Sequence, residues 1–188
     1  MLLPGVTSDK GVRRIHGLES GTTISRGTLM KRQLWAVLLL VLPLCVSAAP
    51  AGVLRLDARA PMMETYKAVT AALEEARFWV VYEVDLGSNL AGFAERWGED
   101  LNRNKLDEIR SIVVCNAWYA NQVSNADPDL LALCPLRVNL VEKDGVTRVL
   151  FARPTVIAEG SPGIAVVQEI EDVISKALRA GVAAAEGR

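Results

Sequence analysis

Two cysteines, Cys115 and Cys134, are the side chains best suited to chemistry, and 18 residues separate them. Three interpretations are open. A structural disulfide would stabilise the fold by about 3 kcal/mol by restricting the unfolded chain. Two unpaired thiols would pack as small hydrophobic side chains. A reactive thiol is the third, because Cys115 precedes a predicted helix whose positive end would stabilise a thiolate. The Cys-x-x-Cys spacing of dithiol oxidoreductases is absent from the sequence.

Charged side chains form a second candidate group. Glu83 and Asp85 share one face of a predicted strand, about 7 Å apart, a separation that suits a general acid and base. The alternative is a solvated strand face, opposite a face that carries Tyr82. Arg137 and Asn139 project from one face of another predicted strand and could hold an anion. The sequence predicts no metal site, because no Asp-x-Asp-x-Asp cluster accompanies the two carboxylates.

Aromatic residues are the third group. Trp79, Trp97, Trp118 and Tyr119 line either a ligand pocket or a core or dimer contact. The residues predicted to bind a ligand, from all three groups, are Cys115, Asn116, Trp118, Tyr119, Glu83 and Asp85.

The N-terminal part has the pattern of a secretory signal peptide at residues 30–48. Basic residues precede an apolar run at residues 34–46, which is too short to span a bilayer comfortably, and small residues follow. Residues 1–29 are predicted to be a spurious or disordered extension, and the mature domain covers residues 49–188. This domain lacks His16, the only histidine, which excludes histidine triads. We therefore expect a periplasmic or secreted protein.

Hydrophobic periodicity predicts the elements that must position these residues. A weak strand at 53–57, a helix at 61–77 and a strand at 78–86 come first. A short helix, a strand at 109–115 and a helix begun by Asn116 follow. A hairpin turns at Asp144-Gly145, and a last helix covers 163–180 and stops at Gly181. This order predicts one α+β domain with helices packed on a small sheet, and a ferredoxin-like sandwich is the nearest architecture.

Several short motifs resemble the family called domain of unknown function 302, over residues 53–181. The family favours Glu-Ile-Asp where this chain has Glu83-Val84-Asp85, and Cys115-Asn116 begins a Cys-Asn-Pro motif. The linker Ala126-Asp127-Pro128-Asp129 and the hairpin Glu142-Lys143-Asp144-Gly145 also correspond. Ala117 replaces the motif's proline, and Cys134 precedes Pro135 where the family has cysteine after proline. The resemblance implies the fold, a homodimer and ligand binding without an established reaction.

Composition limits the function. With 21 Lys+Arg and 22 Asp+Glu residues, the chain is not a nucleic-acid reader. Phosphate-binding loops and the Gly-x-Ser-x-Gly elbow are absent. The sequence predicts an exported, non-enzymatic homodimer that binds an unidentified small molecule and contacts the membrane only through its signal peptide. It leaves any cofactor unknown. One alternative is a periplasmic sulfur or redox protein with Cys115 as nucleophile and Cys134 as resolving thiol. Another is a structural or assembly partner.

Overall fold

The computed structural model describes residues 50–188, so the predicted extension and signal peptide lie outside the described residues. The strands are β1 (Val53–Ala58), β2 (Trp79–Asp85), β3 (Glu108–Cys115), β4 (Leu136–Lys143) and β5 (Val146–Ala152). The α-helices are α1 (Met62–Glu75), α2 (Leu86–Ala91), α3 (Ala94–Trp97), α4 (Ala117–Ala126), α5 (Pro154–Ile157) and α6 (Ile164–Ala185). Two short 3₁₀ helices lie at Gly98–Asp100 and Pro128–Leu133. Within residues 50–188, no helix combines the length and apolar character needed to cross a membrane.

The five strands form one antiparallel sheet in the order β1-β5-β4-β3-β2. This confirms the predicted α+β class and supplies the strand order, which the sequence left open. The β4–β5 hairpin turns at Asp144 and Gly145, both with positive φ, as the sequence predicts. Strands β1 and β2 are the two edges of the sheet, so groups on them lie at opposite sides of the domain.

The hydrophobic core lies between the sheet and two helices, α1 and α6, which pack against each other on one face of the sheet. Alternate residues of the central strands point into it, because successive strand side chains face opposite sides. The buried hydrophobic residues of β3, β4 and β5 are Ile112, Val114, Val138, Leu140, Val149 and Phe151. This core fixes which face of each strand meets the helices.

Helix α6 does not stop at Gly181 as the sequence predicts. It continues to Ala185, and Gly181 is buried against α1. A Cβ atom at Gly181 would lie 2.7 Å from Cα of Val69 and 3.1 Å from the carbonyl oxygen of Ala68. The glycine therefore permits close approach of two helices and does not terminate one.

The predicted faces of β2 are also corrected. Pairing with β3 shifts register between Val80 and Tyr82, so Val81 forms a bulge. Past the bulge, Glu83 and Asp85 share the helix-facing side of the sheet with Val80, and Tyr82 points to the opposite side. The carboxylates therefore lie at the sheet edge beside α1.

A tertiary contact starts helix α1. The first helical residue follows Pro61, whose side chain offers no capping oxygen. Instead, the backbone N–H of Met62 donates to Oε2 of Glu142 on β4, at 2.6 Å. A carboxylate at this position satisfies a free N–H and complements the positive end of the helix dipole.

Candidate functional site

The first group of functional side chains surrounds Glu83, where β2 passes the middle of α1. The Tyr66 hydroxyl donates to Oε1 of Glu83, and the Arg110 guanidinium lies 5.7 Å from the centre of the Tyr66 ring. Arg110 also donates from Nε to Oε1 of Glu108. Desolvation, followed by the hydrogen bond to Glu83, raises the pKa of Tyr66 to about 12. Tyr66 therefore stays protonated at neutral pH and orients the Glu83 carboxylate.

Asp85 is the next carboxylate along this edge, and it caps helix α2. Its Oδ1 accepts from the Ser88 backbone N–H at 2.9 Å, and its Oδ2 accepts from the Ser88 hydroxyl at 2.7 Å. These two bonds lower the pKa of Asp85, with a smaller contribution from Arg110. The side chain is solvent-exposed. Asp85 is therefore a fixed negative charge that can still meet a ligand.

Asp85 stands between two cavities. The smaller one, of about 210 Å³, lies beside Tyr66, Glu83 and Arg110. The larger one, of about 480 Å³, lies between β3 and the segment 86–107, and we call it the acidic cleft. Its charged lining residues are Asp85, Asp107 and Glu108, and its larger apolar ones are Leu90, Leu101, Leu106 and Ile109.

The acidic cleft has the electrostatics of a cation site. Its described lining contains three carboxylates and no basic residue. Arg110 neutralises Glu108. Asp107 accepts a hydrogen bond from the backbone N–H of Asp144 at 2.8 Å. Asp85 and Asp107 are therefore two carboxylates that form no salt bridge with any residue of the range 50–188. Among residues 50–188, no group of three or more metal-ligating side chains occurs. The cleft suits an organic cation with an apolar part, because leucines and an isoleucine line it together with the carboxylates.

The second predicted group lies at the far end of β3. Cys115 ends this strand and pairs across the sheet with Trp79, and Cys134 precedes β4. Both cysteines are half-buried free thiols. Burial, and then the proximity of Cys115, raise the pKa of Cys134. Cys115 and Cys134 lie at adjacent ends of the paired strands β3 and β4, and Cys134 ionises less readily than an ordinary cysteine thiol.

The residues after Cys115 behave partly as the sequence predicts. Asn116 caps α4, its Oδ1 accepting the Tyr119 backbone N–H at 3.1 Å. Tyr119 stacks on Phe78 with ring centres 5.6 Å apart, and its hydroxyl donates to Glu169 of α6 at 2.7 Å. Trp118 is 65% exposed. Tyr119 therefore serves packing between α4 and α6, and Trp118 is open to solvent.

The structure does not bring the six predicted binding residues into one pocket. Glu83 pairs with Ile112, three residues before Cys115 on β3, which is about 10 Å along a strand. Glu83 and Asp85 instead line the two cavities described above, together with four residues that the sequence did not identify as functional. These are Tyr66, Asp107, Glu108 and Arg110. A signal for two of them existed, because the alternating charges of Glu108-x-Arg110 are unusual in a strand that is otherwise apolar.

The protein-family model described as "Domain of unknown function DUF302" matches residues 54–181. The crystal structure of an uncharacterized conserved DUF302 protein from Bacillus stearothermophilus is similar, with a TM-score of 0.60 and 18% sequence identity. The match covers 69% of this chain and 98% of that chain. No curated protein matches this chain.

Proposed function

We propose that this chain, which belongs to the DUF302 family, is a non-enzymatic module that binds a small organic cation in the acidic cleft. The observation that carries the proposal is a lining of three carboxylates and several leucines without a basic residue among those described. A volume of about 480 Å³ accommodates a small molecule. A ligand that fits this cleft would place one positive group against Asp85 and an apolar part against the leucines.

Asp85 is the residue on which this function depends most. Its capping bonds with Ser88 hold the carboxylate in place before a ligand arrives, which avoids an ordering cost on binding. The lowered pKa of Asp85 keeps its carboxylate ionised at pH values at which an ordinary aspartate begins to be protonated. A hydrogen bond from an ammonium group to this carboxylate would be charge-assisted.

The test is a titration with n-butylamine, and n-butanol serves as the neutral analogue of the same length. We expect saturable NMR shifts of amides in α2 and residues 106–109 with the amine only. Asp85→Asn should weaken binding about tenfold, since a hydrogen bond to a charged group contributes roughly 1.5 kcal/mol. Asparagine is also a good N-cap, so α2 persists in the variant. Glu75→Gln on the exposed side of α1 is the control that loses the same charge. Equal weakening by both variants, or equal binding of butanol, would refute a cation site.

Export and dimerisation are parts of the same proposal. If the protein is exported, we expect its mature chain to begin at Ala49, and N-terminal sequencing of the secreted form tests this.

A homodimer is supported by the sheet face opposite α1 and α6, where Trp79 and Tyr82 are more than half exposed. Sedimentation should give a dimer, and Tyr82→Lys should give a monomer. An uncleaved leader or a monomeric native protein would contradict these two parts.

A second candidate function is thiol exchange, favoured by one observation: Cys115 and Cys134 lie at adjacent ends of the paired strands β3 and β4. In it, the Cys115 thiolate attacks a disulfide of a partner protein, releases one partner thiolate, and forms a mixed disulfide. Cys134 then attacks Cys115, which leaves an oxidised pair and a reduced partner. Activity in a disulfide-reduction assay should disappear in Cys115→Ser, whereas binding of n-butylamine should not change. A native mass with two joined cysteines and no exchange activity would leave only a structural disulfide.

A further inference from the structure

A second charged surface lies at the opposite edge of the sheet from the acidic cleft. It is a groove of about 760 Å³ beside β1 and the end of α6, and we call it the arginine groove. Its charged lining residues are Arg55, Arg59, Arg148, Arg188, Asp57 and Glu186. If Arg188, the last residue of the chain, is left out of the comparison, the other three arginines still outnumber the two carboxylates. The groove is therefore positive on a domain in which residues 49–188 hold 15 Lys+Arg and 20 Asp+Glu.

The centre of the arginine groove is a carboxylate held between two guanidinium groups. Arg55 and Arg148 project from neighbouring strands on the sheet face opposite the helices. Arg148 pairs directly with Asp57 across the strands, and Arg55 lies two residues before Asp57 on β1. Arg148 donates from Nε to Oδ1 of Asp57 at 3.0 Å, and Arg55 reaches Oδ2 from Nη2 at 3.0 Å. Burial alone would raise the pKa of Asp57, but the bonds from both arginines lower it. Asp57 thus stays ionised and fixes both guanidinium groups.

The second carboxylate is engaged in the same way. Oε1 of Glu186 accepts the Arg59 backbone N–H at 2.8 Å, and Oε2 is paired with Arg188. The backbone bond holds the end of α6 next to the residue that follows β1. Glu186 therefore places the Arg59 segment at the groove and is itself satisfied.

Hydrogen-bond capacity decides what the groove can accept. Two guanidinium groups carry ten N–H donors, whereas one carboxylate offers about four lone-pair directions. Asp57 therefore cannot satisfy Arg55 and Arg148 together, and N–H groups of both remain for water or for a ligand. Arginine forks match tetrahedral phosphate oxygens in paired hydrogen bonds. Surface ion pairs alone contribute little to stability, so stability gives no strong reason for the surplus of arginines.

We propose that the arginine groove is a binding site for a small phosphate-bearing dianion. Arg55 and Arg148 would contact its oxygens from strand positions that the sheet holds rigidly, and Arg59 would add charge at the rim. This site is independent of the cation site at the other edge. Either one can fail without affecting the other.

Inorganic phosphate at pH 7.5 is the probe, followed by NMR of the arginine Nε–H groups and the β1 and β5 amides. We expect saturable shifts at Arg55 and Arg148. Arg148→Gln should raise the dissociation constant at least tenfold, and Arg148→Lys should raise it less, because lysine keeps the charge and loses the fork. The control is Arg77→Gln, which removes the same charge from an exposed position between α1 and β2, outside the groove, and should change the constant less than twofold.

Three outcomes would overturn the proposal. Shifts that do not saturate by 20 mM phosphate mean that the groove is only a solvated ion-pair network. Equal weakening by Arg148→Gln and Arg77→Gln means that phosphate senses net charge alone. Succinate that binds as tightly as phosphate means that the site does not select phosphate. Well-dispersed spectra of each variant establish that it is folded.

Discussion

The close contact of α1 and α6 at Gly181 gives a prediction that can be worked out from distances. In Gly181→Ala, the new Cβ would lie 2.7 Å from Cα of Val69, where an ordinary carbon contact needs about 3.5–4.0 Å. The helices must separate by about 1 Å. Because the obstructing atoms are backbone, we expect a cost of about 3 kcal/mol, the upper end for overpacking. Alanine's better helix propensity offsets about 1 kcal/mol. The net loss of unfolding free energy is then about 2 kcal/mol.

Urea unfolding followed by far-UV circular dichroism measures this loss, and a thermal melt should show a decrease of roughly 5 °C. Val69→Ala should not rescue the variant, because it removes only the Cγ2 contact and leaves the contacts with Cα and with the Ala68 carbonyl. Ala180→Gly, at the exposed neighbouring position, should cost about 1 kcal/mol from propensity alone. A Gly181→Ala protein as stable as the parent would show that the two helices are not in this close contact.

Two further predictions concern carboxylates that hold the fold. Glu142→Gln should lower the unfolding free energy by about 1 kcal/mol, because the start of α1 loses a charged cap on Met62; a urea titration that matches the parent would contradict the cap. The hydrogen bonds from Arg55 and Arg148 lower the pKa of Asp57 in the folded state despite its partial burial, so its carboxylate stabilises the fold above the unfolded pKa and this contribution is lost as pH falls through the folded pKa. Unfolding free energies between pH 6 and pH 3 should therefore fall less in Asp57→Asn than in the parent, and parallel profiles would refute this linkage.

Local patterns in the sequence determined the elements well. Period-2 and period-3.6 hydrophobicity predicts the five strands and the long helices, because burial on one face is what selects apolar residues. Asp144-Gly145 identifies the hairpin, since two successive positive φ angles need such residues. Asn116 identifies the start of α4 through its side-chain oxygen. Each of these features depends on residues close together in the chain.

Two errors in the sequence reasoning have a common cause. A glycine near a predicted helix end has the pattern of a stop, but Gly181 lies where Val69 approaches from another helix. Alternation along β2 places Glu83 and Asp85 on the face opposite Val80, but the bulge at Val81 puts them on the same side as Val80 and α1, where both carboxylates stay exposed. A bulge or a close helix crossing depends on the partner element, which a single segment does not encode.

The sequence by itself determined the fold class, the family and the carboxylates worth considering, because periodicity, turn chemistry and short motifs are local. Only the tertiary structure decided which residues act together. It brought Tyr66 and Arg110 to Glu83, separated Cys115 from the carboxylates, and gathered Arg55 and Arg148 around Asp57 at the other edge. These groupings arise when strands far apart in the chain pair in register, and the free energy of burying one common core selects that register.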